Sequence, residues 1–171
     1  MRLDGHRFNG RLGIAACALL ALSACASYPS NISPGMTRSE VVARFGAPSA
    51  ESMSGATDVM IYSTAPMGDR AFAAFLDASG TVTGVEQVLT LARFGKIVPG
   101  VWNEESVLDN FGLPADRRHI RDNLVWDYRY RELDVYHSLF TITFDESGLV
   151  LKTENGPDPR YDGGGRDSGR K

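Results

Sequence analysis

The strongest periodicity along the chain is that of a β-strand. From Leu124 to Arg131, Trp126, Tyr128 and Tyr130 fall on one side, and Asp127, Arg129 and Arg131 on the other. Phe140 to Phe144 alternates again, Asp145-Glu146-Ser147-Gly148 reads as a turn, and Leu149-Val150-Leu151 starts a last strand. An earlier stretch predicts the same succession. Its strands lie near Val59–Ser63, Arg70–Leu76 and Thr81–Val88, with Asp77-Ala78-Ser79-Gly80 as the turn. A helical spacing precedes each set. Val41, Val42 and Phe45 form an apolar face behind Thr37-Arg38-Ser39-Glu40, a capping box, and Gly46 and Pro48 stop the helix. Val107, Leu108 and Phe111 repeat that face behind Asn103, with Glu104 and Glu105 favourable in the first turn and Gly112 and Pro114 as the stop. Leu89, Leu91, Phe94 and Ile97 have partial helical spacing and predict a short helix opening the second set.

These correspondences amount to an internal repeat. Pro34-Gly35 matches Pro99-Gly100, Phe45-Gly46-Ala47-Pro48 matches Phe111-Gly112-Leu113-Pro114, Tyr62 matches Tyr128, and Asp77 to Val82 matches Asp145 to Val150. The offsets are 65, 66, 66 and 68 residues, a drift that single-residue loop insertions produce. The expected fold is therefore α+β: two tandem α(α)βββ units, each with helices packed on one face of a three-stranded antiparallel sheet. The first unit spans 34–88 and the second 89–154. A unit of this size buries a marginal core alone, so the two are expected to pack as one cooperative body. Residues 155–171 are rich in Gly and charge and are expected to form a disordered tail.

Composition narrows the function classes. The chain has 171 residues, a net charge of −3 and two cysteines, both before residue 26. A basic nucleic-acid binder, a disulfide framework and a cysteine-rich zinc site are excluded. Arg2, Arg7 and Arg11 precede the uncharged stretch Leu12 to Ala24, too short to span a bilayer but fitting the apolar core of a secretory signal. The stretch ends in Leu22-Ser23-Ala24-Cys25, which resembles the lipobox of bacterial lipoproteins. The resemblance implies cleavage after Ala24, acylation of Cys25, and residues 25–33 as a lipidated tether. With Ala26 rather than aspartate following, it implies the periplasmic face of the outer membrane. Residues 1–24 carry three Arg and one Asp, so the mature chain keeps 15 of 18 basic and 20 of 21 acidic residues, a net charge of −5. Such a chain has no general attraction to anionic lipid.

Gly35-Met36-Thr37-Arg38-Ser39-Glu40-Val41 followed by Phe45-Gly46-Ala47-Pro48 resembles the BamE (SmpA, OmlA) family of small outer-membrane lipoproteins. The resemblance implies helices against an antiparallel sheet and a non-catalytic role in β-barrel assembly. The tandem arrangement, with Leu91-Ala92-Arg93-Phe94 before Pro99-Gly100-Val101, is similar to β-lactamase inhibitory protein, a secreted binder built from two such units.

Candidate chemistry is sparse. His119 and His137 lack the spacing of a metal pair, and neither a Gly-x-Ser-x-Gly elbow nor a phosphate loop occurs. No enzyme activity, cofactor or small-molecule substrate is expected. Three features remain as candidate partner-binding residues. Trp102 stands at a helix start, either as an anchor or as packing between units. Trp126, Tyr128 and Tyr130 either line a concave sheet face or form core beneath helices. Arg117, Arg118 and Arg121 form a basic run in a predicted loop, suited to an acidic partner or a headgroup if not simply solvated. The leading expectation is a lipid-anchored lipoprotein acting by protein contact as an accessory of outer-membrane assembly or envelope integrity. The alternative is a periplasmic binding or inhibitor module gripping a target protein with a concave sheet made from both units.

Overall fold

The computed structural model describes residues 28–55 and 57–161. The signal segment, Cys17, Cys25, Ala26 and the Gly-rich stretch from 162 lie outside the described residues. A 3-10 turn, Pro29–Asn31, leads into α1 (Arg38–Phe45), β1 (Ala50–Ser54), β2 (Thr57–Ser63), β3 (Ala71–Leu76) and β4 (Val82–Gln87). Then come α2 (Leu91–Phe94), α3 (Glu104–Phe111), β5 (Asp116–Ile120), β6 (Asn123–Glu132), β7 (Tyr136–Phe144) and β8 (Val150–Pro157). The strands form two separate four-stranded antiparallel sheets, β1-β2-β3-β4 and β5-β6-β7-β8.

This overturns the expected α+β class of two helix-plus-three-strand units. The protein is mostly antiparallel sheet, with two eight-residue helices and one four-residue helix. The strands missing from the sequence reading are β1, Ala-Glu-Ser-Met-Ser, and β5, Asp-Arg-Arg-His-Ile. Both are edge strands. Each pairs on one side only, through main-chain bonds to β2 or β6, so neither needs an apolar period, and charge on an edge blocks stray pairing.

The internal repeat survives as matching hydrogen bonds. Thr37 and Asn103 cap α1 and α3, and the Thr37–Glu40 box closes in both directions. The Gly35 N–H donates to the Val82 carbonyl and the Gly100 N–H to that of Val150, both at 2.8 Å. Tyr62 Oη donates to the Gly46 carbonyl at 3.1 Å, and Tyr128 Oη to that of Gly112 at 2.8 Å. In both turns an aspartate collects the following amides and a serine hydroxyl, Asp77 from Ser79 and Asp145 from Ser147. Those hydroxyls, with the backbone amides, hold both carboxyls below the usual aspartate range.

The two sheets are layered rather than joined edge to edge. One face of the first sheet, with Met60, Tyr62, Ala74, Leu76 and Val82, packs beneath Val41 of α1. Its other face, with Val59, Ile61, Ala71 and Ala73, shares a larger core with Phe94 of α2, Val107 and Phe111 of α3, and Trp126, Tyr128, Tyr130 and Phe140 of the second sheet. Phe94 stacks on Phe140 at 4.1 Å between ring centroids, while its neighbour Arg93 pairs with Glu86 of β4. Ser52 and Ser63 of the first sheet donate to the carbonyls of Asp109 and Leu113, at 3.4 and 3.1 Å. So α1 lies on the first sheet, α2 and α3 lie between the sheets, and the second sheet closes the stack.

Two boundaries also shift. Ile32, expected in the tether of 25–33, is buried against the first core, because an apolar side chain next to that sheet gains by leaving water. Residues 155–157, expected in the tail, complete β8. The reason is backbone pairing: Leu139 lies opposite Gly156 and Ser138 opposite Pro157, and the Asp158 N–H donates to the His137 carbonyl at 2.9 Å.

Candidate functional site

The repeat locates a face on which the two sheets differ. With the 66-residue offset of Tyr62 and Tyr128, Ile61 corresponds to Asp127 and Ser63 to Arg129. With the 68-residue offset of the turns, Ala73 corresponds to Thr141 and Phe75 to Thr143. In the first sheet these positions form the face covered by α3. Among the described residues no helix lies over the same face of the second sheet, and polar side chains take these four positions. A sheet face that a helix covers must be apolar; one left to water can carry charge.

A cleft of about 530 Å³ opens on this face, lined by Arg118, Ile120, Arg121, Val125, Leu139, Thr141, Thr143 and Lys152 among others. Ion pairs brace the strands in and around it. Asp127, almost fully buried, pairs with Arg118 and accepts from Thr141 Oγ1 at 2.8 Å. Arg129 reaches buried Asp158 at 3.3 Å, and Lys152 meets Glu154 at 2.8 Å. Ile120, Val125 and Leu139 add an apolar strip. The surface thus offers both signs of charge around an apolar centre, the composition of a protein-contact patch.

The predicted site residues separate sharply. Arg118 and Arg121 line the cleft. Arg117 and Arg118 stand not in a loop but in edge strand β5, with Arg121 in the turn that follows, so alternation sends Arg117 to the opposite face. There its guanidinium lies 4.4 Å from the Trp126 ring centroid. Trp126, Tyr128 and Tyr130 are each 1% exposed and cannot touch a partner. They are core, because the aromatic side of β6 turns toward α2 and α3. Trp102 is half-buried beside Phe111 and packs on the same core. The concave sheet built from both units does not form, since helices lie between the sheets.

Residues that sequence reasoning missed are Asp127, Thr141, Thr143 and Lys152. The signal for them was present: polar residues stand in the second repeat where the first has Ile61, Ala73, Phe75 and Gly84. Among the described residues, no group of three His, Cys, Asp or Glu side chains converges as a metal site. Nor is any described helix long and apolar enough to cross a membrane. His119 is exposed on β5, and His137 stacks on Tyr161 at 3.7 Å and accepts from Arg131 Nη1 at Nε2, 2.7 Å away. No family model matches the chain, and no curated protein is significantly similar to it.

Proposed function

We propose that this protein is a lipid-anchored outer-membrane lipoprotein acting by protein contact in envelope or β-barrel assembly, and that it meets its partner through the open face of the second sheet. One observation carries the contact surface: the face covered by α3 in the first sheet is covered by no helix of the described residues in the second, with Arg118 and Lys152 standing around the apolar strip. The lipobox at Cys25 and the Gly-Met-Thr motif with its Gly-x-Pro stop support the address and the assembly role. Arg121 extends the positive side of the cleft, which suits an acidic segment on the partner.

The test is cross-linking in intact cells followed by detergent pull-down of the full-length chain. The native protein is expected to capture one partner in fixed stoichiometry. Lys152→Glu with Arg121→Glu is expected to lose it while the protein keeps its level and thermal midpoint. Retention of the partner by the double variant would remove the open face as the contact surface. Unchanged outer-membrane protein levels on deletion would remove the assembly role. In the same cells Cys25→Ser should move the protein from the membrane to the soluble fraction.

A further inference from the structure

The two most exposed large apolar side chains among the described residues, Met67 and Leu133, sit at one end of the molecule, while Val101 and Met53, 70% and 65% exposed, lie elsewhere. Leu133, Val135 and Tyr136 at the β6–β7 hairpin are 81%, 62% and 64% exposed, and Met67 in the β2–β3 loop is 85% exposed. The hairpin turn is closed by the Val135 N–H donating to the Glu132 carbonyl at 3.1 Å, and its central residues have positive φ, 51° at Leu133 and 57° at Asp134. Asn and Gly meet that demand without strain; a leucine does not. Leu133 therefore occupies a conformation unfavourable to it while presenting its side chain to water. Neither packing nor turn geometry accounts for it, which points to a function at the tip.

The same end receives the start of the described chain. The ring of Tyr28 lies edge-on to Phe72, 6.0 Å between centroids. Two residues before Phe72, Arg70 pairs with Asp134 of the hairpin at 2.8 Å. Tyr28, the Met67 loop and the hairpin tip thus share one end. Only Ala26 and Ser27 separate Tyr28 from Cys25, a reach of about 10 Å when extended. The turns Asp77–Gly80 and Asp145–Gly148 lie at the opposite end, about 30 Å away along β7.

We infer that this end is a second membrane contact: Leu133, Val135, Tyr136 and Met67 dip into the lipid interface beside the anchor and hold the molecule upright. The inference rests on the reading of Cys25 as the acylated residue. The occupant is a lipid surface rather than a protein groove, because the chain leading to the anchor leaves within reach of these tips. Anionic lipid is not required, since Arg70 is already paired with Asp134 and Arg131 Nη2 donates to the Asp134 carbonyl at 3.2 Å. In this pose the β5–β6 turn with Arg121 points away from the bilayer, and the cleft faces sideways into the aqueous space.

The test uses the mature lipidated protein in vesicles of phosphatidylethanolamine and phosphatidylglycerol doped with nitroxide lipid. Leu133→Cys, Met67→Cys and Glu146→Cys each supply one free thiol for a bimane label, since Cys17 leaves with the signal and Cys25 is blocked. Labels at 133 and 67 are expected to be quenched several-fold more than the label at 146, equally with and without phosphatidylglycerol. Equal quenching at all three positions, or none at 133 and 67, overturns the inference while acyl mass on the mature chain leaves the anchor reading standing. A mature chain without acyl mass removes the anchor and the inference together. A protein adduct cross-linked from position 133 in cells, with no quenching in vesicles, assigns the tip to a protein instead.

Discussion

Tyr62 and Tyr128 do the same work in the two repeats. Each reaches from a strand to the carbonyl of the glycine that ends a helix, tying helix to sheet. Removing the hydroxyl of Tyr128 leaves a buried carbonyl without that partner, at a cost of about 1–3 kcal/mol. Burial pushes both phenols up, Tyr62 to about 12 with added repulsion from Glu51. The unfolded chain releases such protons near pH ~10, so the folded state binds more protons above that point. Stability is therefore expected to hold below pH ~10 and to fall as pH rises toward the folded value. Urea titrations across that range check the sign, and Tyr62→Phe should flatten the alkaline slope. The aromatic identity of Trp126, Tyr128 and Tyr130 was plain in the sequence. Their burial was not, because alternation says that one face is apolar but not whether a helix or a partner covers it.

At the scale of elements, Gly46 and Gly112 separate local geometry from tertiary fit. Both follow a helix with backbone angles near glycine's private region, φ 84° and ψ −170° at Gly46, φ 71° and ψ −158° at Gly112. Gly46 stops its helix in this more extended conformation rather than in the left-handed helical one. A methyl group at Gly46 meets no atom within 4 Å, whereas at Gly112 it meets Ile61 Cγ2 at 2.7 Å. Gly46→Ala is expected to cost about 1–3 kcal/mol in backbone strain alone. Gly112→Ala should cost a further 1–3 kcal/mol, roughly, by overpacking the contact between α3 and the first sheet. Thermal or urea unfolding of the two variants gives the comparison, and equal losses would contradict the layered packing. The helices were legible through their caps and stops. The edge strands were not, since main-chain pairing leaves no apolar rhythm in Glu51-Ser52-Met53 or Arg117-Arg118-His119.

The whole molecule is a stack in which one core runs from the first sheet through α2 and α3 to the second. Val59, Ile61 and Ala73 would face water if the second half were absent. Unfolding is therefore expected to be a single transition, with fluorescence and circular dichroism giving coincident midpoints. Two separated transitions would mean that the halves are independent. The stack also explains why the repeats differ where they do. An interior sheet needs two apolar faces, while the last sheet needs one, and terminal members of a stack carry a polar outer face. By itself the sequence determined the repeat, the caps, the turns and the apolar side of each central strand, because these follow from contacts a few residues apart. Only the tertiary structure decided the four-strand sheets, the helices between them and the open face of the second. Those depend on which surface each apolar side meets, and residues 66 positions apart must be brought together before that is settled.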